Sequence, residues 1–280
     1  MSGTKIQACV VGWPISHSRS PMIHGYWLKK YGIDGSYTKR AVQPDNVGAF
    51  FRSMHEEGLA GCNVTIPHKQ AAYAAATERT DAARAVAVAN TLWFEGGRLF
   101  ADNTDGAGFV RHLRASVPSF KATEHVVAVL GAGGGARGVI HAMLLAGAPE
   151  VRVFNRTRDR VDHVAHLFGA RVKAYDWRDR ISRSREAGLL INATSLGMHG
   201  TAELDMPLEQ LPDACVVADL VYVPLETPLL AAARTRGLVA VDGLGMLLHQ
   251  ATPGFERWFG VKPEVTGELR ALLVADIEGR

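Results

Sequence analysis

The 280-residue chain holds only three cysteines, Cys9, Cys62 and Cys215, far apart and with no Cys-x-x-Cys pair. An odd, scattered set argues against a disulfide framework or a redox dithiol and fits free buried thiols in a reducing cytoplasm. Metal-ligand spacing is missing too. His163 and His166 form a helical i, i+3 pair, but no third ligand is near, so they read as surface residues and no metal is expected. No apolar run approaches a membrane span, and the one in MSGTKIQACVVGWP is too short for a secretory signal. The net charge is only +3, and no Lys/Arg tract is interleaved with aromatics, which argues against nucleic acid. Repeats and low-complexity segments are also absent. With 47% hydrophobic and 21% charged residues, the chain has enough apolar material for one large domain or two ordinary ones. A cytoplasmic protein with neither a membrane nor a nucleic-acid partner is expected.

What is present centres on residues 125–160, HVVAVLGAGGGARGVIHAMLLAGAPEVRVFNRTRDR. His125 to Leu130 is a short branched apolar strand, Arg137 to Gly147 reads as a helix, and Val151 to Phe154 as a second buried strand. Between them Gly131-Ala132-Gly133-Gly134-Gly135-Ala136 fits G-x-G-x-x-A. Glycines there let the backbone turn tightly and approach a pyrophosphate, which would sit on the unpaired N–H groups of the helix start. The bland alternative is a Gly-rich turn without a ligand.

One more absence refines the ligand. A unit that binds NAD usually carries Asp or Glu about 20 residues after the glycines, bonding the ribose 2′-hydroxyl. Here the second strand runs into Asn155-Arg156-Thr157-Arg158-Asp159-Arg160. Arginine forks match a phosphate that a carboxylate would repel, so NADP is the expected cofactor, and Asn155, Arg156, Thr157 and Arg160 are candidate cofactor contacts. A solvated, Arg-rich helix start is the competing reading, given Arg152, Arg171 and Arg178 nearby.

Over a hundred residues precede this unit, and they alternate strand and helix signals. Strands are expected at Ile6–Gly12, Tyr37–Val42 and Gly61–Ile66, with helices at Pro21–Tyr31, Val47–Glu57 and from Lys69 to Ala75. Asn90–Phe94 and Arg98–Phe100 read as a hairpin through Glu95-Gly96-Gly97. After Arg160 come a helix near Val161–Phe168 and strands at Leu189–Asn192, Val216–Leu220 and Val239–Asp242, then helices Met246–Phe259 and Thr266–Glu278. The expected fold is two α/β domains. Residues 1–104 would form a substrate domain with a mostly parallel sheet, completed by helices in 246–280. Residues 105–245 would form a Rossmann-like NADP domain, with a ligand cleft between the two at the strand ends.

Four polar clusters fall at strand ends: Gly12-Trp13-Pro14-Ile15-Ser16-His17-Ser18-Arg19-Ser20-Pro21, closing on His24; Asn63-Val64-Thr65-Ile66-Pro67-His68-Lys69; Asn90-Thr91 with Asp102-Asn103-Thr104-Asp105-Gly106; and Gly243-Leu244-Gly245-Met246-Leu247-Leu248-His249-Gln250. Asn192-Ala193-Thr194-Ser195-x-Gly197-Met198 and Asp219-Leu220-Val221-Tyr222-x-Pro224-x-x-Thr227-Pro228-Leu229 lie between the last two. In this order and spacing, over nearly the whole chain, they resemble the shikimate dehydrogenase family. Gly25, Ala89 and Ala101 depart from its usual Asn, Val and Gly, which touches packing around the site and leaves the reacting groups in place.

The resemblance implies reversible reduction of 3-dehydroshikimate to shikimate with NADPH, by a monomer or homodimer. It implies Ser18 and Ser20 on the substrate carboxylate, although Ser20 would also suit an N-cap for the helix that Pro21 begins. Asn63, Thr65, Asn90 and Gln250 would bond ring hydroxyls, each supplying donor and acceptor, with Tyr222 as a further contact; polar residues at strand ends also satisfy backbone groups. Thr194, Gly243 and Met246 are implied on the cofactor side. Lys69 and Asp105 are implied as the reacting pair, which an alkoxide needing a proton would use. Lys69 at a helix start meets an unfavourable macrodipole, burial under ligands would lower its pKa, and Asp105 would oppose that shift. Asp105 alone could cap a helix from Gly106 to Ala115. Two other readings remain: a quinate/shikimate dehydrogenase preferring NAD, and a non-catalytic NADP-binding sensor, which should have lost Lys69 or Asp105.

Overall fold

Short apolar strands alternating with helices resolve into two six-stranded sheets in the computed structural model, which describes residues 5–279. The chain divides into two compact units, Met1–Thr104 with Gln250–Leu273, and Asp105–His249 with Val274–Arg280. Residues 246–249 and 274–280, expected with the first domain, group with the second unit. The physical reason at the first of these is an anchor: Asp242 accepts hydrogen bonds from the Leu244 and Gly245 N–H groups at 2.9 and 3.2 Å, and Met246 lies in that unit's core.

The first unit runs β1 (Ile6–Gly12), α1 (Ser20–Lys30), β2 (Gly35–Ala41), α2 (Val47–Ser53), β3 (Leu59–Val64), α3 (Lys69–Ala75), β4 (Glu78–Arg79), α4 (Asp81–Val86), β5 (Thr91–Glu95) and β6 (Arg98–Asp102). Its sheet has the order β2-β1-β3-β5-β6-β4. β1 pairs in parallel with β2 and β3, whereas β5 pairs antiparallel with β3 and β6. The expected hairpin turns at Gly96-Gly97, both at positive φ (58° and 75°), which glycine adopts without strain. Its register matters most for the site. Asn63 faces Thr91, and Thr91 faces Asp102, so three strands bring their polar ends into one row. Behind them Cys9, Val11, Cys62, Val64, Leu92 and Ala101 form a continuous apolar core.

The second unit runs α5 (Asp105–Ser116), β7 (Val126–Leu130), α6 (Gly134–Leu145), β8 (Val151–Asn155), α7 (Arg158–Phe168), β9 (Val172–Asp176), α8 (Arg180–Arg183), β10 (Ala187–Asn192), β11 (Val216–Asp219), α9 (Pro228–Thr235) and β12 (Val239–Val241). The order β12-β11-β10-β7-β8-β9 is parallel throughout. Alternate residues of β7 serve opposite faces: Val127 and Val129 pack in one core cluster, Ala128 and Leu130 in another. Burial on both faces explains its uninterrupted apolar run. The chain winds one way from β7 to β9 and the other way from β10 to β12, so the order reverses between β7 and β10.

α10 (Gly243–Phe259) begins in the second unit and ends in the first, followed by α11 (Gly267–Ile277). Within the first unit, Trp258 donates to the Leu92 carbonyl at 2.9 Å and Trp27 to that of Glu264 at 3.0 Å. No described helix is long and apolar enough to cross a membrane.

Several boundaries moved. α6 starts at Gly134, three residues before its expected start, and α2 stops at Ser53, where turns lead to Gly58 at φ 73°. β4, α4, β9, α8 and α9 carried no expectation. α9 had a legible signal: Thr227 caps it by accepting from the Leu230 N–H at 3.3 Å, with Pro228 at the first position.

Candidate active site

The loop after β1 and the loop after β3 are stitched by backbone. Trp13 N–H donates to the Ile66 carbonyl at 3.0 Å and Thr65 N–H to that of Val11 at 2.9 Å. Ser18 is half-buried on the first loop, and its hydroxyl accepts from the Ser20 N–H at 3.3 Å. Ser20 is not an N-cap. Arg19 holds that position without a side-chain capping bond, and Ser20, the first residue of α1, is buried. Ser18 therefore satisfies one of the helix's free N–H groups and leaves the Ser20 hydroxyl out of that task. Thr65 is half-buried, and its hydroxyl makes no hydrogen bond among the described residues.

Beside them a buried amide network ties strand ends together. Tyr37 donates its hydroxyl to Asn63 Oδ1 at 2.6 Å, and Asn63 Nδ2 donates to the Asn90 carbonyl and to Thr91 Oγ1, both at 3.2 Å. Asn90 Nδ2 donates to Thr104 Oγ1 at 2.9 Å and to Gln250 Oε1 at 3.1 Å, while its Oδ1 accepts from the Thr104 N–H at 2.9 Å. Burial pushes the Tyr37 phenol well above its ordinary pKa, so it stays a donor. Asn63, Asn90 and Gln250 thus converge, and Tyr37 and Thr104, for which no site role was expected, fix their orientation. Only the packing of the folded unit reveals that link.

His24 lies behind this network, fully buried and stacked on Tyr37 with ring centroids 3.9 Å apart. Neither ring nitrogen has a hydrogen-bond partner among the described residues. Burial drives its pKa down to about 3, opposed by the Asn63 side chain, whose approach falls short of a hydrogen bond. Lys69 opens α3 and is half-exposed; its carbonyl accepts from the Ala89 N–H at 2.9 Å, which joins the helix start to the Asn90 segment. Asp105 is the first residue of α5 and is buried, so the helix expected from Gly106 begins one residue earlier.

In the second unit the reversal point carries the glycine loop. Gly131 has φ 110°, and a Cβ there would meet the Ala193 carbonyl at 2.9 Å and Thr194 Cγ2 at 3.1 Å, so the loops after β7 and β10 are in contact. Thr194 donates its hydroxyl to Asn192 Oδ1 at 2.7 Å. At Gly133, the N-cap of the 12-residue α6, a Cβ would point into open space, and no side chain caps the helix. Free backbone N–H groups beside an open surface are what a diphosphate needs, so this cradle fits a dinucleotide. Ala132 and Ala136 are buried, and Gly134 and Gly135 half-buried, along it.

At the end of β8, Asn155 Nδ2 donates to the Thr157 carbonyl at 2.9 Å and shapes the turn. Arg158 is committed to Asp162 at 2.8 Å and Asp176 at 3.7 Å. Arg156 and Arg160 are exposed and unpaired among the described residues, leaving two cations for a phosphate. Gly243 packs so tightly that a Cβ would meet the Leu220 carbonyl at 2.5 Å. Met246 sits in the core, and Tyr222 is half-buried beyond β11. The Asp219–Thr227 motif is structural: the buried Asp219 accepts from Asn192, the Val221 N–H and Thr227 at 2.8–2.9 Å, while burial pushes its carboxyl up to about 6. Among the described residues no cluster suits a metal ion.

Comparison with known proteins gives the family. Residues 10–92 match the shikimate dehydrogenase substrate-binding domain, 114–202 the shikimate/quinate 5-dehydrogenase family, and 243–273 the shikimate 5′-dehydrogenase C-terminal domain. The shikimate dehydrogenase (NADP(+)) of Azorhizobium caulinodans is 52% identical over 98% of both chains. The chain belongs to the shikimate dehydrogenase family. The family member from Thermus thermophilus, solved with NADP(H) and shikimate, is 34% identical over 96% of this chain and 99% of its own, with a TM-score of 0.86. A quinate dehydrogenase from Corynebacterium glutamicum, solved with NAD, is 26% identical over 96% and 99%, with a TM-score of 0.88. Overall fold therefore does not separate the two activities within the family, and residues must.

Proposed function

We propose that this chain is an NADP-dependent shikimate dehydrogenase that interconverts 3-dehydroshikimate and shikimate. The observation that carries the reading is the converging set of Asn63, Asn90 and Gln250 beside Lys69, a surface made for a small acid with several hydroxyls. Ser18, Ser20, Thr65 and Tyr222 complete the substrate contacts, with the serine hydroxyls toward the carboxylate. NADP, when bound, would supply the hydride-transfer chemistry. Lys69 holds the proton that the developing alkoxide takes, with Asp105 as the second catalytic residue. Gly131–Ala136 receive the diphosphate, Arg156 and Arg160 the 2′-phosphate, with Asn155, Thr157, Thr194, Gly243 and Met246 around the cofactor. With three buried free cysteines, the protein works in the cytoplasm, as a monomer or homodimer. Retention of both Lys69 and Asp105 favours an enzyme over a sensor.

The test is a spectrophotometric rate comparison with NADP and NAD against shikimate and quinate. Fastest turnover with NADP and shikimate is expected. Preference for NAD with quinate would support the quinate dehydrogenase instead, and no turnover with either pair would support a sensor.

A further inference from the structure

Two arginines of the second unit are equally buried, each 8% exposed, yet only one has partners. Arg180 donates to the Asp205 carbonyl at 2.7 and 2.9 Å and to its carboxylate at 2.8 Å. Arg137 makes no ion pair among the described residues, and its Nε is enclosed without a hydrogen-bond partner. Enclosing the Nε of a cation without a partner is costly, and the burial of Arg137 pulls its pKa down with no carboxylate to oppose it. Its position compounds the cost. Arg137 is the fourth residue of α6, where the helix macrodipole is positive and no side chain caps the N–H groups.

We propose that Arg137 is a binding residue for the dinucleotide diphosphate, which supplies the anion that the fold withholds. This inference rests on the cofactor reading above. Helical side chains in general lean back toward the N-terminus, which is the direction of the turn that begins at Gly134. Three residues of helix rise about 4.5 Å, a distance an arginine side chain spans. The open face at Gly133, the uncapped N–H groups and the unpaired cation are three separate features of one helix start, and one dianion satisfies all of them.

Arg137 would act on the part of the cofactor that NADP and NAD share, whereas Arg156 would act only on the 2′-phosphate. Calorimetric titration of the full-length protein with NADP, NAD and inorganic diphosphate separates the two. Arg137→Met and Arg137→Gln should weaken NADP and NAD by the same factor, about ten- to a hundred-fold, and abolish diphosphate binding. The ligand-free variants should melt no lower than the wild type, because an unpaired buried charge has been removed. Wild-type affinity for both nucleotides in either variant would overturn the inference and leave the cofactor reading standing. A lowered melting temperature with unchanged affinity would also overturn it, making Arg137 a structural residue. If the wild type bound neither nucleotide, the cofactor reading would fail and this inference with it.

Discussion

At the end of β3, side chains hold side chains: Tyr37 orients Asn63, and Asn90 is gripped by Thr104 and Gln250. At the ends of β7 and β8 the arrangement is the reverse, with bare backbone at Gly133 and cations left unpaired among the described residues at Arg137 and Arg156. The contrast follows from what each end must bind. A ring bearing several hydroxyls is told from its isomers only by donors and acceptors at fixed positions, and a buried network supplies that rigidity. A diphosphate is recognised by charge, which an uncapped helix start and arginines provide without much side-chain order. One end is organised before its ligand arrives, and the other awaits its counter-charge.

Substitutions that hit one end alone should break this contrast or sharpen it. Among effects on binding and stability, the largest is expected at Arg156. Arg156→Asp should raise the KM for NADP by about 10- to 150-fold, the worth of about 1.5–3 kcal/mol for a charge-assisted phosphate contact, and leave that for NAD unchanged or improved. Equal changes for both cofactors would remove Arg156 from the 2′-phosphate.

A smaller effect, on stability, belongs to the substrate end. His24 has a folded pKa of about 3, against 6.5 for an ordinary histidine. The unfolded chain therefore takes up the proton first as pH falls, so the stability contribution is complete above pH 6.5 and is lost between 6.5 and 3. From pH 7 to pH 5 the loss should be about 2 kcal/mol. His24→Phe, which keeps the stacking on Tyr37, should flatten that part of the curve. Denaturant titrations at the two pH values measure it, and identical slopes in both proteins would show that His24 does not carry the acid sensitivity.

The cofactor end was the more legible in the sequence, because its chemistry is written in adjacent residues. Gly131 to Ala136 between two apolar strands announce a phosphate loop, and the Arg156 neighbourhood announces the missing acid. The substrate end was read through a resemblance, since Asn63, Asn90 and Gln250 are far apart in sequence and meet only where β3, the segment before β5 and helix α10 pack together. Tyr37 and Thr104 escaped for the same reason. Ser20 misled because serine before proline suits a cap, whereas the chain enters α1 one residue earlier and leaves that serine buried. Arg137 stood in plain view as a helix residue, and only its unpartnered burial gives it significance.

That the two ends divide the work is tested most directly by Lys69→Ala, measured for both turnover and NADP affinity. General acid–base help is worth about 10²–10⁴ in rate, so kcat should fall by at least about a hundred-fold. The dissociation constant for NADP should stay within about two-fold of the wild type, a change worth less than about 0.5 kcal/mol. A variant that kept its kcat and only raised the KM for shikimate would make Lys69 a binding residue and contradict the account.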